Sequence, residues 1–123
     1  MFRGFYFLTL KQAGKTIMQW IKTIAEHVGS QPDKYFKTTL FQADALLLGL
    51  NCLEAGQVQK VHQHTEQDKF YMVVAGRGRF QVGDEEFDGQ AGQVIWAPAG
   101  VPHGVTNNGD TLLTLLIGIA PAP

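Results

Sequence analysis

The chain has 123 residues, 45% of them hydrophobic and 17% charged, which suits one globular domain with a core of its own and excludes a disordered chain. A formal net charge of −1 leaves no basic excess to neutralise phosphates, so nucleic acid is not an expected partner. No apolar run is long enough for a membrane span, and the single cysteine, Cys52, excludes an internal disulfide and suits a reducing, cytoplasmic compartment.

Fourteen glycines and five prolines predict many tight turns and favour strands over long helices. The start, Met1–Leu10, superficially resembles a secretion signal, with Arg3 ahead of Phe5-Tyr6-Phe7-Leu8. The apolar stretch is too short for one, however, and Lys11 and Lys15 come where small residues would be needed. Residues 1–17 fit poorly with the rest of the chain and are read as an N-terminal extension. It is either a start set too far upstream of Met18, the preferred reading, or an arm that packs on a partner subunit. Ile17, Trp20, Ile21, Ile24 and Val28 stand at helical spacing with Gly29 after them as a stop, which predicts one short helix over 16–28. Residues 18–35 are therefore assigned to that helix and a connection.

From residue 36 the pattern changes to strands broken by turn residues. Apolar or alternating runs at Thr38–Phe41, Leu46–Leu53, Val58–His64, Phe70–Ala75, Arg79–Val82, Val94–Ala97 and Leu112–Ile119 are read as strands. The breaks fall at Gly56, Gly76-Arg77-Gly78, Gly83-Asp84-Glu85-Glu86, Pro98-Ala99-Gly100 and Asn107-Asn108-Gly109-Asp110. Turn signals spaced about 8–12 residues apart are those of an all-β sandwich or closed barrel, here over residues 36–120.

Along an extended strand, residues i and i+2 face the same way, so His62 and His64 stand side by side and can chelate one metal ion. A lone His-x-His pair is weak evidence, but its surroundings are specific. Gly56, His62, His64 and Gly76 fall in one segment; Gly92, Pro98, Gly100, His103 and Asn107 fall in a second. These two segments resemble the paired motifs of the cupin family, G-x5-H-x-H-x3/4-E-x6-G and G-x5-P-x-G-x2-H-x3-N, and together span residues 56–107. The resemblance implies an antiparallel jelly-roll barrel with its pocket inside. It also implies a divalent metal held by His62, His64 and His103, the last brought in by the stiff Pro98–Gly100 turn.

The family's fourth ligand, a glutamate, is missing. Counting back from Gly76 puts Lys69 at its position. Asp68 is one residue earlier, and alternation turns it to the opposite face unless the strand starts late or bulges there. Glu66 lies in the preceding turn with nothing to fix it. A protonated Lys69 beside the site would oppose a divalent ion: unit charges about 4 Å apart repel by about 4 kcal/mol at an effective dielectric of ~20, and a doubly charged ion doubles this. Lys69 can escape by turning to Asp68, Glu66 or a substrate carboxylate, or by losing its proton on burial; otherwise the site holds no metal. Three imidazoles without a carboxylate suit Zn, Ni, Fe, Mn, Co or Cu and leave positions open for water or substrate.

Tyr71 and Val73 share the parity of Lys69, which makes Tyr71 a further pocket candidate. Trp96 is read as barrel packing, Arg77 and Arg79 as solvated hairpin charges, Cys52 as a small buried hydrophobe, and Asp84, Glu85, Glu86 and Asp88 as turn carboxylates. His27, in the helical segment, is read as structural or exposed. The leading expectation is a small cupin, paired as a homodimer, that binds a divalent metal and a small polar or anionic organic molecule. The metal-dependent chemistry open to it is that of an oxygenase, isomerase or decarboxylase. The alternative is a non-catalytic binding or sensing module without metal.

Overall fold

The computed structural model describes residues 20–123 and, before them, the backbone of residues 9–12 and 15–18. The rest of the 1–17 extension lies outside the described residues. Thr9–Gln12 (β1) and Lys15–Met18 (β2) pair antiparallel, Thr9 opposite Met18. The helix expected over 16–28 is therefore corrected: its first residues lie in a strand, and the only helical turn among the described residues is a 3-10 turn, Ile24–Glu26. Thr23 ahead of it makes no capping hydrogen bond, and an isolated turn so short has no stability of its own. The apolar spacing is not a core-facing stripe: among the described side chains Trp20 and Ile21 are exposed, and Ile24 packs on buried hydrophobics.

Nine further strands complete the described residues: β3 (Phe36–Gln42), β4 (Leu47–Leu53), β5 (Val58–His62), β6 (Asp68–Ala75), β7 (Arg77–Val82), β8 (Glu85–Gln90), β9 (Val94–Ala97), β10 (His103–Thr106) and β11 (Leu113–Ala120). They form two antiparallel sheets, in the order β5-β10-β7-β8 and β3-β4-β11-β6-β9, and together make the expected jelly-roll barrel. Tyr71, Val73, Phe80, Ile95, Val105, Leu113 and Leu115 fill the space between the sheets. On the outer side of the five-stranded sheet, Leu40, Leu50 and Cys52 are covered by Ile24, Phe36, Phe41, Leu112 and Leu116. Strands β4 and β11 are thus buried on both faces, which is why they read as apolar runs, each interrupted by one buried polar residue, Asn51 and Thr114. Burial also pushes the Cys52 thiol above its ordinary pKa.

Between β6 and β7 the chain crosses from one sheet to the other. Gly76 makes that corner at φ +81°, and a Cβ there would stand 2.6 Å from the Leu112 carbonyl oxygen, so only glycine fits. Arg77 and Arg79 follow this corner on β7 and are exposed charges of the β7–β8 hairpin, with Arg79 reaching Asp88 at 3.3 Å and Glu86 at 3.9 Å. Strand β8 escapes the sequence pattern because its residues, Glu-Glu-Phe-Asp-Gly-Gln, carry one apolar side chain. It is an edge strand with its charges in solvent, and only Gly83 and Asp84 make the turn before it. Trp96 does not pack in the barrel; it is 56% exposed on edge strand β9.

Asn107, the last motif residue, holds two loops together. Its amide donates to the carbonyls of Leu53 and Thr111, both at 2.8 Å, and its Oδ1 accepts from the Gly109 N–H at 2.9 Å. Asn107→Ala leaves two carbonyls and an N–H short of a partner, and is expected to destabilise the fold by about 2–4 kcal/mol. Urea unfolding checks this; a change below about 1 kcal/mol would show that water replaces the clamp.

Candidate metal centre

His103 on β10 stands directly opposite His62 on β5, and His64 lies just beyond the end of β5. The Pro98–Gly100 turn is fastened to the same place, since the Gly100 N–H donates to the His64 carbonyl at 2.7 Å. Ring centroids are 4.5 Å apart for His62 and His103, 5.0 Å for His62 and His64, and 5.5 Å for His64 and His103. One ligand atom from each ring can be chosen so that all lie within 4.8 Å of one another.

Two of the rings have their tautomers set by the backbone. A carbonyl can only accept, so His62 Nδ1–H donates to the Lys60 carbonyl at 2.8 Å and His103 Nδ1–H donates to that of Val101 at 2.9 Å. This leaves each Nε2 with its lone pair outward, the state a metal ligand needs, and a backbone carbonyl in the supporting role usual for such ligands. Burial is the main cause that pushes His103 down to about 4, with the neighbouring Lys69, His62 and His64 charges adding to it, so its imidazole is neutral at pH 7. His64 is lowered as well, first by burial and then by His62 and Lys69.

His103 Nε2 is buried and has no hydrogen-bond partner among the described residues. Such an orphan costs about 1–3 kcal/mol, and its ring stands 4.5 and 5.5 Å from the two other imidazoles. A divalent ion satisfies it, so the donor set fits a metal of the first transition row.

A cavity of about 430 Å³ adjoins the histidines, lined among others by His62, His64, Lys69, Lys37, Asn51 and Gln59. Lys69 is thus on the inner face, only 3% exposed, with its ammonium 4.6 Å from the centre of the Tyr71 ring and no carboxylate paired with it among the described residues. Burial, reinforced by the charge of Lys37, pushes it down to about 8. Asp68 is not a pocket residue: β6 starts at Asp68 with no bulge there, and the carboxylate points outward to accept from the Ala99 N–H at 2.9 Å. Tyr71 is fully buried behind the cavity wall. Its hydroxyl donates to Gln59 Oε1 at 2.5 Å, Gln59 Nε2 donates to the Tyr35 hydroxyl at 3.2 Å, and its ring lies 6.1 Å from that of His103.

Gln59 escapes the alternation rule. It should face away from His62, yet both line the cavity, because β5 bulges between them. His103 pairs with His62 and Val105 with Gln59, so Lys60 and Val61 together oppose Gly104 and both turn outward. A Cβ on Gly104 would stand 2.8 Å from the Gln59 carbonyl oxygen, which ties this bulge to glycine. Asn51 carries a legible signal, a polar residue inside an apolar run, whereas Lys37 and Tyr35 carry none.

A profile described as Cupin domain matches residues 49–118. An uncharacterized protein of Streptomyces coelicolor is 35% identical over 74 residues, 60% of this chain and 70% of that protein. The crystal structure of TT1209 from Thermus thermophilus superposes with a TM-score of 0.82 at 38% identity, covering 85% of this chain and 100% of the other. A Thermotoga maritima structure described as a "predicted oxalate decarboxylase" has a TM-score of 0.61 at 26% identity, covering 64% of this chain and 69% of the other. No helix among the described residues is long and apolar enough to cross a membrane.

Proposed function

The chain belongs to the cupin domain family, and from that premise we propose that it binds one divalent transition metal through His62, His64 and His103 and acts there on a small organic molecule held in the adjoining cavity. The observation that carries this is the buried, unpartnered Nε2 of His103 in a ring clustered with two further imidazoles, one ligand atom of each within 4.8 Å of the others. When bound, such an ion supplies Lewis-acid polarisation of a ligand's oxygen atoms at its open positions. The backbone carbonyls of Lys60 and Val101 hold two rings in the metal-binding tautomer, and the neutral state of His103 removes proton competition above about pH 4. Lys69 offers a proton or a positive charge to a bound anion. The likeness to the Thermotoga maritima protein supports decarboxylation among the reactions open to such a centre.

Titrating chelator-treated protein with Co(II), then with Zn, Ni, Mn and Fe(II), tests the metal. Binding of one ion per chain, with the visible absorption of Co(II) bound to imidazole nitrogen, is the expected result. No saturable uptake of any of these ions would sink the proposal.

A further inference from the structure

The charges on the cavity wall are lopsided. Lys69 and Lys37 both line it and no acidic side chain among the described residues does; Pro123, which carries the terminal carboxylate, also lines it but makes no ion pair with either lysine. Lys37 lies opposite Asn51 across β3 and β4, while Lys69 lies opposite Ile119 across β6 and β11, so the two ammoniums come from different strands of one sheet. Lys69 and Asn51 are each only 3% exposed. An ammonium buried to that extent ordinarily has an anionic partner, since an unpaired ion loses several kcal/mol of hydration. Here the face of Tyr71 takes that place, and a desolvated cation–π contact, worth about 2 kcal/mol or somewhat more, offsets part of that loss without neutralising the charge. The missing partner is an anion that arrives with the ligand. The cavity floor is apolar, formed by Leu47, Ile117 and Ile119, and its size of about 430 Å³ suits a short carbon chain.

Resting on the metal reading for one of its two ends, we infer that the cavity takes a small dicarboxylate. One carboxylate is held by the ammoniums of Lys69 and Lys37 with the Asn51 amide, and the other is directed to the three histidines. A monocarboxylate satisfies one end, and a neutral ligand of the same shape leaves Lys69 unpaired. In this arrangement the lysine at the family's glutamate position is a specificity residue: it replaces a metal ligand with an anion contact.

Calorimetric titration of the full chain, metal-loaded and metal-free, with malonate, succinate and glutarate tests this, with propionate and succinamide as controls. At least one dicarboxylate is expected to bind the metal-loaded protein about tenfold or more tighter than propionate, and succinamide is expected not to bind. Lys69→Met and, at its more exposed position, Lys37→Met are each expected to weaken the dicarboxylate about tenfold, in the metal-free protein as well. Unchanged affinity in both lysine variants, or no binding of any dicarboxylate to a protein that does take up metal, overturns the inference and leaves the metal site standing. Lysine-dependent binding in a protein that takes up no metal overturns the metal site and leaves the anion contact standing.

Discussion

His103→Ala is expected to abolish stoichiometric metal binding while the barrel stays folded. His103 is the most enclosed member of the trio: it alone is fully buried, and its Nε2 is the atom left without a partner. Its removal leaves two donors, His62 on an edge strand and His64 beyond the strand end, with no third to close the coordination. Loss of an outer-shell partner typically weakens a metal by about 10–100-fold, and loss of a ligand is expected to exceed that range. The effect on stability is smaller, because the truncation removes an unsatisfied buried nitrogen along with the packing of the ring. Elemental analysis and Co(II) titration of wild type, His103→Ala and His27→Ala separate these effects, with His27→Ala expected to match wild type. Equal metal content and affinity in His103→Ala would show that the ion is bound elsewhere.

Lys69→Met is expected to stabilise the metal-free, ligand-free protein at pH 7 by about 1–3 kcal/mol, visible as a Tm several degrees higher. Burial holds Lys69 near 8 in the fold against an ordinary value of 10.5. Between those values the unfolded chain binds more protons than the folded one, so wild-type stability rises with pH across that window, and below pH 8 the full penalty is present. The shift corresponds to about 3 kcal/mol at most, and the cation–π contact with Tyr71, worth about 0.5–2 kcal/mol, offsets part of it. Methionine keeps most of the side chain's length and carries no charge, so its advantage is largest below pH 8 and fades toward pH 10.5. Paired thermal melts at pH 7 and at pH 10 check both sign and slope. A lower Tm for Lys69→Met at pH 7 would mean that the ammonium stabilises the empty fold.

Much of the site is legible without any tertiary structure. Alternation and motif spacing alone single out His62, His64 and His103. The Pro98–Gly100 turn does fasten the His64 loop, and Asn107 closes the motif as a clamp. The strand runs of β4, β6 and β11 are plain because burial on one or both faces leaves a direct record in the residues. Less is readable where local pattern and packing disagree. Ile17, Trp20, Ile21, Ile24 and Val28 have helical spacing, but Trp20 and Ile21 are exposed and receive no core, and a strand and a 3-10 turn form instead.

The sequence by itself determined which residues could hold a metal, three histidines on two linked motifs, and that a lysine stands where the family has a glutamate. Only the tertiary structure decided that the lysine turns inward, that Lys37 and Asn51 from β3 and β4 join it, and that Gln59 shares a cavity with His62. The physical reason is the range of each signal. Side-chain alternation records a face within one strand, and a single bulge in β5, at Lys60 and Val61 opposite Gly104, resets it. Which strands become neighbours, and so which charges meet across a cavity, depends on the packing of two whole sheets.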